Sequence, residues 1–168
     1  MATDYFTKWI EAIPTRQATD AVIISFLETN IWSRFGCPSK LITDNAIAFK
    51  SKRMIEVCYK YNISLGHSTA YHPQGNGLAE SSNKSLVNII KKLLEINKKG
   101  WHKKLINSLW VDRVSQKKPI GMSPFELVYG TDTVFPTSLA VPVVKLLQEA
   151  GSEEDPMQRR INQMIHLQ

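Results

Sequence analysis

Helical and strand patterns alternate along the chain from residue 19 to residue 97. Two short apolar segments read as strands, "KLIT" at residues 40–43 and "ISLGHS" at residues 63–68. Segments with apolar residues at helical spacing surround and separate them, at residues 19–36, 51–61 and 77–97. Such alternation is typical of domains in which helices pack against a sheet. The sequence therefore predicts an α/β fold.

The segments on either side extend this pattern. Residues 4–14, "DYFTKWIEAIP", predict a strand, a turn and a second strand, with Asp4 at or near the end of whatever strand precedes it. "SPFE" at residues 123–126 is a capping box with proline at the first helical position, which predicts a short helix ending near Gly130. We therefore predict a core over residues 1–140, followed by a linker and surface helix over residues 141–168.

The composition limits the class of protein. A chain of 168 residues, 43% of them apolar, is long enough for one domain with a real core. Lysine and arginine number 21 against 15 acids, a net charge of +6 that favours a polyanion such as nucleic acid. Cys37 and Cys58 follow no zinc-ligand spacing. No apolar run is long enough for a membrane span, and the first residues do not form a signal peptide.

Three carboxylates occupy positions that suit a metal site. Asp4 lies at a strand, Asp44 follows the "KLIT" strand, and Glu80 lies on the first turn of a long helix. In an α/β sheet, strand ends and helix N-termini can converge at one edge. Three acids meeting there would repel one another unless divalent cations neutralised them. Magnesium or manganese suits such oxygen ligands, and two ions together can cleave or join phosphodiesters.

Each acid also has a structural interpretation. Asp4 could begin a turn, Asp44 with Asn45 forms a good turn pair, and Glu80 would favour a helix N-terminus through the macrodipole. Taken singly, a structural role is the more common one for such residues. It is the neighbouring sequence that favours the metal site.

The neighbouring residues resemble the catalytic cores of retroviral and retrotransposon integrases, and most of all those of gypsy-type LTR retrotransposons. Four motifs carry the resemblance: "DYFTKWIEAIP", "FGCPSKLITDN", "YHPQGNGLAESSNKSL" and "SPFELVYG". They occur in the family's order, and 35 residues separate Asp44 from Glu80, as in the family. The resemblance extends from about residue 3 to residue 140.

The resemblance implies a ribonuclease-H-like fold with a mixed five-stranded sheet between helices. It implies a two-metal polynucleotidyl transferase that nicks element DNA ends and joins their 3′-hydroxyls to target DNA. Asp4, Asp44 and Glu80 match the family's metal-binding acids, and two Mg²⁺ or Mn²⁺ ions are expected. A homo-oligomer located in the nucleus is also implied. The residues implied to approach DNA are Gln74, Asn76, Asn83 and Lys84. Lys84 could instead pair with Glu80 one helical turn before it.

The sequence departs from the family pattern at three places. Only Met1, Ala2 and Thr3 precede Asp4, so we expect a truncated first strand, a less stable domain and a poorly anchored Asp4. Ala46 stands where the family usually has glycine, and would cost of order 1 kcal/mol if that position needs a positive φ. Asp112 and Lys117 stand where apolar residues or threonine are common.

Two other functions remain open. The family's flanking zinc domain and C-terminal DNA- or chromatin-binding domain have no counterpart in the sequence. The chain could therefore be a catalytically inactive remnant or a co-opted nucleic-acid-binding domain with the same fold. A ribonuclease H that cleaves RNA in hybrids is disfavoured, because the residues around Glu80 match integrases.

Overall fold

The computed structural model describes residues 1–68, 77–94, 100–131 and 133. The predicted linker and surface helix over residues 141–168 lie outside the described residues. The chain divides into two compact units. The first comprises Met1–Thr3 and Glu11–Asn83, and the second comprises Asp4–Ile10 and Lys84–Gln168.

Four short strands form two small sheets among the described residues. Strands β1 (Ala2–Thr3) and β2 (Ile10–Glu11) pair with each other. Strands β3 (Lys40–Thr43) and β4 (Ser64–His67) pair in parallel, in a register that places Thr43 opposite His67. The five-stranded sheet stays a prediction.

The first predicted helix forms as one helical segment with a wide turn in its middle. It consists of α1 (Asp20–Phe26), a π-helical turn (Leu27–Trp32) and α2 (Ser33–Phe35). Thr19 caps its start by accepting a hydrogen bond from the backbone N–H of Val22, as predicted. Gly36, at φ 84°, ends it in a conformation that glycine adopts without a Cβ clash.

Hydroxyl groups satisfy backbone carbonyls at the π-helical turn. The Thr29 hydroxyl donates to the carbonyl of Ser25 at 2.7 Å, and the Ser33 hydroxyl donates to the carbonyl of Thr29 at 2.6 Å. A π turn shifts the backbone hydrogen bonds from the fourth to the fifth residue, which alters the usual pairing of carbonyls. Hydroxyl donors one turn ahead provide partners for those oxygens.

Four further helices lie where the sequence predicts them: α3 (Lys52–Lys60), α4 (Gly77–Leu93), α5 (Trp101–Val114) and α6 (Pro124–Tyr129). A 3-10 turn (Ile47–Lys50), which was not predicted, precedes α3. The Ser123–Glu126 capping box forms in full at the start of α6, and Gly130 ends that helix in the left-handed conformation. No described helix has the length and apolar character needed to cross a membrane.

An apolar core fills the first unit. Met54 and Cys58 on α3 are fully buried there, and burial raises the pKa of the Cys58 thiol. Leu41 of β3 and Leu65 of β4 pack against the cluster that contains Met54 and Cys58, so this core lies against the parallel pair that Asp44 follows. The other members of this core are Ile24, Phe26, Leu27, Trp32 and Ile63.

Candidate active site

Asp4 lies in the second unit, in the tight turn that joins β1 to β2. Its carboxylate Oδ1 accepts hydrogen bonds from the backbone N–H of Thr7 at 2.7 Å and from the Thr7 hydroxyl at 2.6 Å. Its own N–H donates to the carbonyl of Trp9 at 2.9 Å, and its carbonyl accepts from the N–H of Lys8 at 3.1 Å. The expectation that Asp4 is poorly anchored is therefore wrong, because contacts within the turn hold it without a long preceding strand.

Asp44 lies in the first unit, directly after β3 at the carboxyl end of the parallel pair. Its Oδ1 accepts a hydrogen bond from the backbone N–H of Ala46 at 3.0 Å, which fixes the carboxylate within its own turn. The next side chain, Asn45, donates to the carbonyl of Ser68 at 2.6 Å. Ser68 follows β4, so this bond ties the Asp44 turn to the end of the neighbouring strand.

A second polar contact crosses the same edge. The Thr43 hydroxyl lies 2.9 Å from Nδ1 of His67, and Thr43 is buried. The N–H of Ser68 also donates to the carbonyl of Thr43 at 2.8 Å. The contacts of Asn45, Thr43 and His67 were not predicted from the sequence, although the turn pair "DN" includes Asn45.

Ala46 is not strained. Its backbone lies at φ −60° and ψ 142°, an extended conformation that any residue adopts. The condition under which Ala46 would carry a cost, a positive φ, is not met, so alanine carries no conformational cost over glycine here.

Glu80 lies on the first turn of α4, as predicted, and its side chain is exposed. Asn83 and Lys84 follow one turn later and are also exposed. No ion pair joins Lys84 to Glu80 among the described residues, so this alternative pairing is not formed. The predicted DNA-binding residues Gln74 and Asn76 lie outside the described residues.

The carboxylate oxygens of Asp4, Asp44 and Glu80 are chemically suited to bind a hard divalent cation. Asp4 and Asp44 each use Oδ1 in a local turn, and no described residue donates a hydrogen bond to either Oδ2. Carboxylate oxygens are the ligands that magnesium and manganese prefer. Within the described ranges, however, no three His, Cys, Asp or Glu side chains lie close enough to hold a metal ion. The convergence of Asp4, Asp44 and Glu80 on shared ions stays a prediction.

Asp112 and Lys117 form a buried ion pair in the second unit. Lys117 Nζ donates to Asp112 Oδ1 at 2.6 Å, and the Ser85 hydroxyl donates to the same oxygen at 3.4 Å. The Asp112 side chain is fully buried, and its Oδ2 has no hydrogen-bond partner among the described residues. The two departures from the family pattern therefore compensate each other.

Comparison with protein families gives a match over the part of the chain that contains Asp4 and Asp44. Residues 1–73 match the family described as "Integrase core domain". The chain is similar to retroviral integrase cores. The match contains the first two of the four motifs, "DYFTKWIEAIP" and "FGCPSKLITDN".

Retroviral polyproteins supply similar sequences. The chain is 35% identical over 127 residues to the Gag-Pol polyprotein of Avian reticuloendotheliosis virus, covering 76% of this chain and 11% of that protein. It is 34% identical over 128 residues to the Pol polyprotein of Radiation murine leukemia virus (strain Kaplan), covering 76% of this chain and 22% of that protein. The chain spans less than a quarter of the length of these relatives. The gypsy-type assignment stays a prediction.

Solved integrase structures share the fold. A chain of the simian T-cell lymphotropic virus intasome, in complex with the PP2A regulatory subunit B56 gamma, matches with a TM-score of 0.67 at 23% identity, over 80% of this chain and 48% of that one. The HTLV-2 integrase catalytic core domain in complex with magnesium, in its trimeric form, matches with a TM-score of 0.59 at 28% identity, over 74% of this chain and 79% of that one. These matches show the ribonuclease-H-like α/β fold of integrase cores.

Proposed function

We propose that the chain is the catalytic core of an integrase, a metal-dependent polynucleotidyl transferase that cleaves element DNA ends and joins them to target DNA. One observation carries the proposal: Asp44 follows a parallel strand and is tied through Asn45 to the end of the adjacent strand. In open α/β sheets, ligands bind outside the carboxyl ends of the strands. An anchored carboxylate at this edge fits a catalytic role for Asp44 better than a purely structural role in a surface turn.

The three acids would share the binding of the metal. Asp4, Asp44 and Glu80 would hold Mg²⁺ or Mn²⁺, and the two aspartates would do so with the Oδ2 atoms that their turns leave available. When bound, a pair of such ions would activate a water or hydroxyl and stabilise the leaving oxygen of a phosphodiester. The chain's contribution is to fix the carboxylates beforehand, which the Thr7 and Ala46 hydrogen bonds do for Asp4 and Asp44. An HTLV-2 core was solved with magnesium, which supports this choice of cation.

Exposed polar residues on α4 would position the DNA. Asn83 and Lys84 lie one turn beyond Glu80, so they face the same side of the helix. Lys84 has no ion pair with a described residue, which leaves its ammonium available for a phosphate. Gln74 and Asn76 would add polar contacts from the segment that leads into the helix.

The setting of the protein is also a proposal. Four motifs in order support a gypsy-type element as its source. A homo-oligomer acting on DNA in the nucleus would follow, and solved integrase cores with dimeric and trimeric forms support self-association.

The test is a Mn²⁺-dependent disintegration assay on a branched DNA substrate. Glu80→Gln removes one anionic ligand with little change in shape, so we expect activity to fall by roughly two orders of magnitude or more, as when one electrostatic stabiliser is lost from a site. Glu56→Gln on α3 is the matched control, because Glu56 is a solvent-exposed acid that pairs with Lys52 at 3.8 Å. This control should retain activity.

DNA binding without catalysis is the second candidate function, and the same assay would identify it. If the unchanged chain and Glu80→Gln are equally inactive but bind DNA equally well, the chain is a nucleic-acid-binding domain without catalysis. Binding should weaken with salt in either case, because phosphate contacts release counterions.

A further inference from the structure

Two aromatic side chains project from the turn between β1 and β2. Tyr5 is 78% exposed and Phe6 is 75% exposed, and both directly follow Asp4. Neighbouring large apolar side chains that stay exposed often mark an interaction site. Their position next to a proposed metal ligand means that a DNA strand reaching Asp4 would meet these rings.

The turn that carries the rings is held firmly. Hydrogen bonds join Asp4 to Trp9 and Lys8 through the backbone, and Thr7 donates twice to the Asp4 carboxylate. Below the turn, Trp9 is buried and the Arg113 guanidinium lies 4.4 Å from the centre of its indole ring. The rings are therefore presented on an ordered base, which lowers the entropy lost when they bind a partner.

A cation accompanies the rings. Lys8 adopts a left-handed conformation, with φ 61°, and its Nζ donates to the carbonyl of Tyr5 at 2.6 Å. This places the ammonium 4.7 Å from the centre of the Tyr5 ring. Among the described residues, the Phe6 ring makes no ring–ring or cation–ring contact, so both of its faces are available.

We propose that Phe6 stacks on an unpaired or frayed base of the DNA on which the proposed site acts, with Lys8 beside the adjacent phosphate. The proposal rests on the proposed function. Sites that bind single-stranded nucleic acid combine aromatic faces with cations in this way. Bases inside a duplex are covered by their neighbours, so Phe6 selects the end of a duplex or a single strand.

The size of the patch favours a base over a protein partner. Two aromatic side chains provide roughly 300–500 Å² of contact surface. A stable interface needs about 800 Å² from each partner, so self-association through this turn alone would be weak. One face of a single base is similar in area to one face of the Phe6 ring, so the two can stack.

The experiment measures binding of a labelled single-stranded oligonucleotide by fluorescence anisotropy, with the full chain and with EDTA present. Phe6→Ala should weaken binding about 10-fold, the loss of one base–aromatic stack. Phe6→Leu should show a similar loss, because it keeps an apolar side chain without a π face. Phe6→Trp should bind at least as well as the unchanged chain.

Two controls define the contact. Tyr59→Ala removes an aromatic side chain that is 87% exposed on α3 and should leave binding unchanged. Binding to a covalently closed circular duplex, which has no ends, should be the same for Phe6→Ala and the unchanged chain. An unchanged affinity of Phe6→Ala for the single strand would overturn the proposal. So would an equal loss on the closed circle, or an effect of Phe6→Ala on sedimentation without one on DNA, which would indicate self-association.

The binding experiment can fail or succeed independently of the proposed catalysis. Binding in EDTA needs no metal, so the Phe6 effect should persist in a Glu80→Gln background. If Glu80→Gln stays active while Phe6→Ala loses single-strand binding, the catalytic proposal fails and the stacking contact stands. If Glu80→Gln is inactive and Phe6→Ala binds normally, only the stacking contact fails.

Discussion

The buried cluster around Met54 in the first unit and the buried face of α5 in the second unit contain different kinds of side chain. In the first unit, apolar side chains from the first helix and α3 surround Met54, which is completely buried. In the second unit, α5 buries Ser108 and Asp112 on the same helix as Leu105 and Leu109. The buried cluster around Met54 consists of apolar side chains alone, whereas the buried face of α5 also contains one ion-paired carboxylate.

This difference predicts different tolerance to substitution. An apolar core accepts other apolar side chains of similar volume at small cost. A buried charge whose partner is removed keeps its full desolvation penalty. We therefore expect single changes to the ion pair to be costly and a joint apolar replacement to be mild.

The contrast should be largest at Lys117. Lys117→Met keeps the apolar stem but leaves the buried Asp112 carboxylate without its cation, and should lower the free energy of unfolding by roughly 3–5 kcal/mol. Urea denaturation followed by circular dichroism measures the change. Asp112→Leu with Lys117→Met should recover most of the loss, and a double variant as unstable as the single one would show that the pair is not what stabilises α5.

In the first unit, Met54→Ala should lower the free energy of unfolding by roughly 2–4 kcal/mol. The side chain is completely buried, so its removal would leave a cavity with protein on every side. The neighbouring Ile55 is 52% exposed and provides the control. Ile55→Ala should change stability by less than about 0.5 kcal/mol. Equal effects of the two substitutions would contradict the position of the core.

A smaller effect is expected at the start of α6. The Ser123 hydroxyl accepts a hydrogen bond from the backbone N–H of Glu126 at 3.1 Å, and Ser123→Ala should cost about 1 kcal/mol. Ser81→Ala, on the exposed part of α4, is the control and should be nearly neutral in the same denaturation experiment. A neutral Ser123→Ala would mean that the capping box contributes little to the second unit.

The smallest effect tests the turn after Asp44. Because Ala46 has an extended backbone, Ala46→Gly only adds freedom to the unfolded chain and should lower the free energy of unfolding by about 0.4–1 kcal/mol. A strained alanine would give the opposite sign. A higher melting temperature for the glycine variant would therefore refute the conformation described here.

The sequence predicted the elements whose signals are local. Thr19, Gly36 and the Ser123–Glu126 box act within one helical turn of their own positions, so their residue types were sufficient. The partnership of Asp112 with Lys117 was missed because charged residues usually face solvent and nothing local shows that α5 buries one. On the first helix, Ile24 and Trp32 are buried in the core, and Ile23 and Ile31 are partly buried and pack against it.

For the candidate site, the sequence predicted where the acidic residues lie in the fold, but it did not predict their hydrogen bonds. The strand-end location of Asp44 and the helical location of Glu80 followed from apolar patterns. The bond from Asn45 to Ser68 could not be predicted, because its acceptor is a backbone carbonyl and every residue has one. At Ala46, the sequence left open whether the family's usual glycine reflects a positive φ, and the extended backbone shows that no positive φ is needed here.

The π-helical turn at Leu27–Trp32 alters how positions on the outside of this helix must be counted. With the hydrogen bonds reaching five residues back, side chains beyond Trp32 rotate relative to those before Leu27 by an amount that a 3.6-residue repeat does not give. A pair of probes or a crosslink placed across this turn at the usual spacing of seven residues would therefore not share one face.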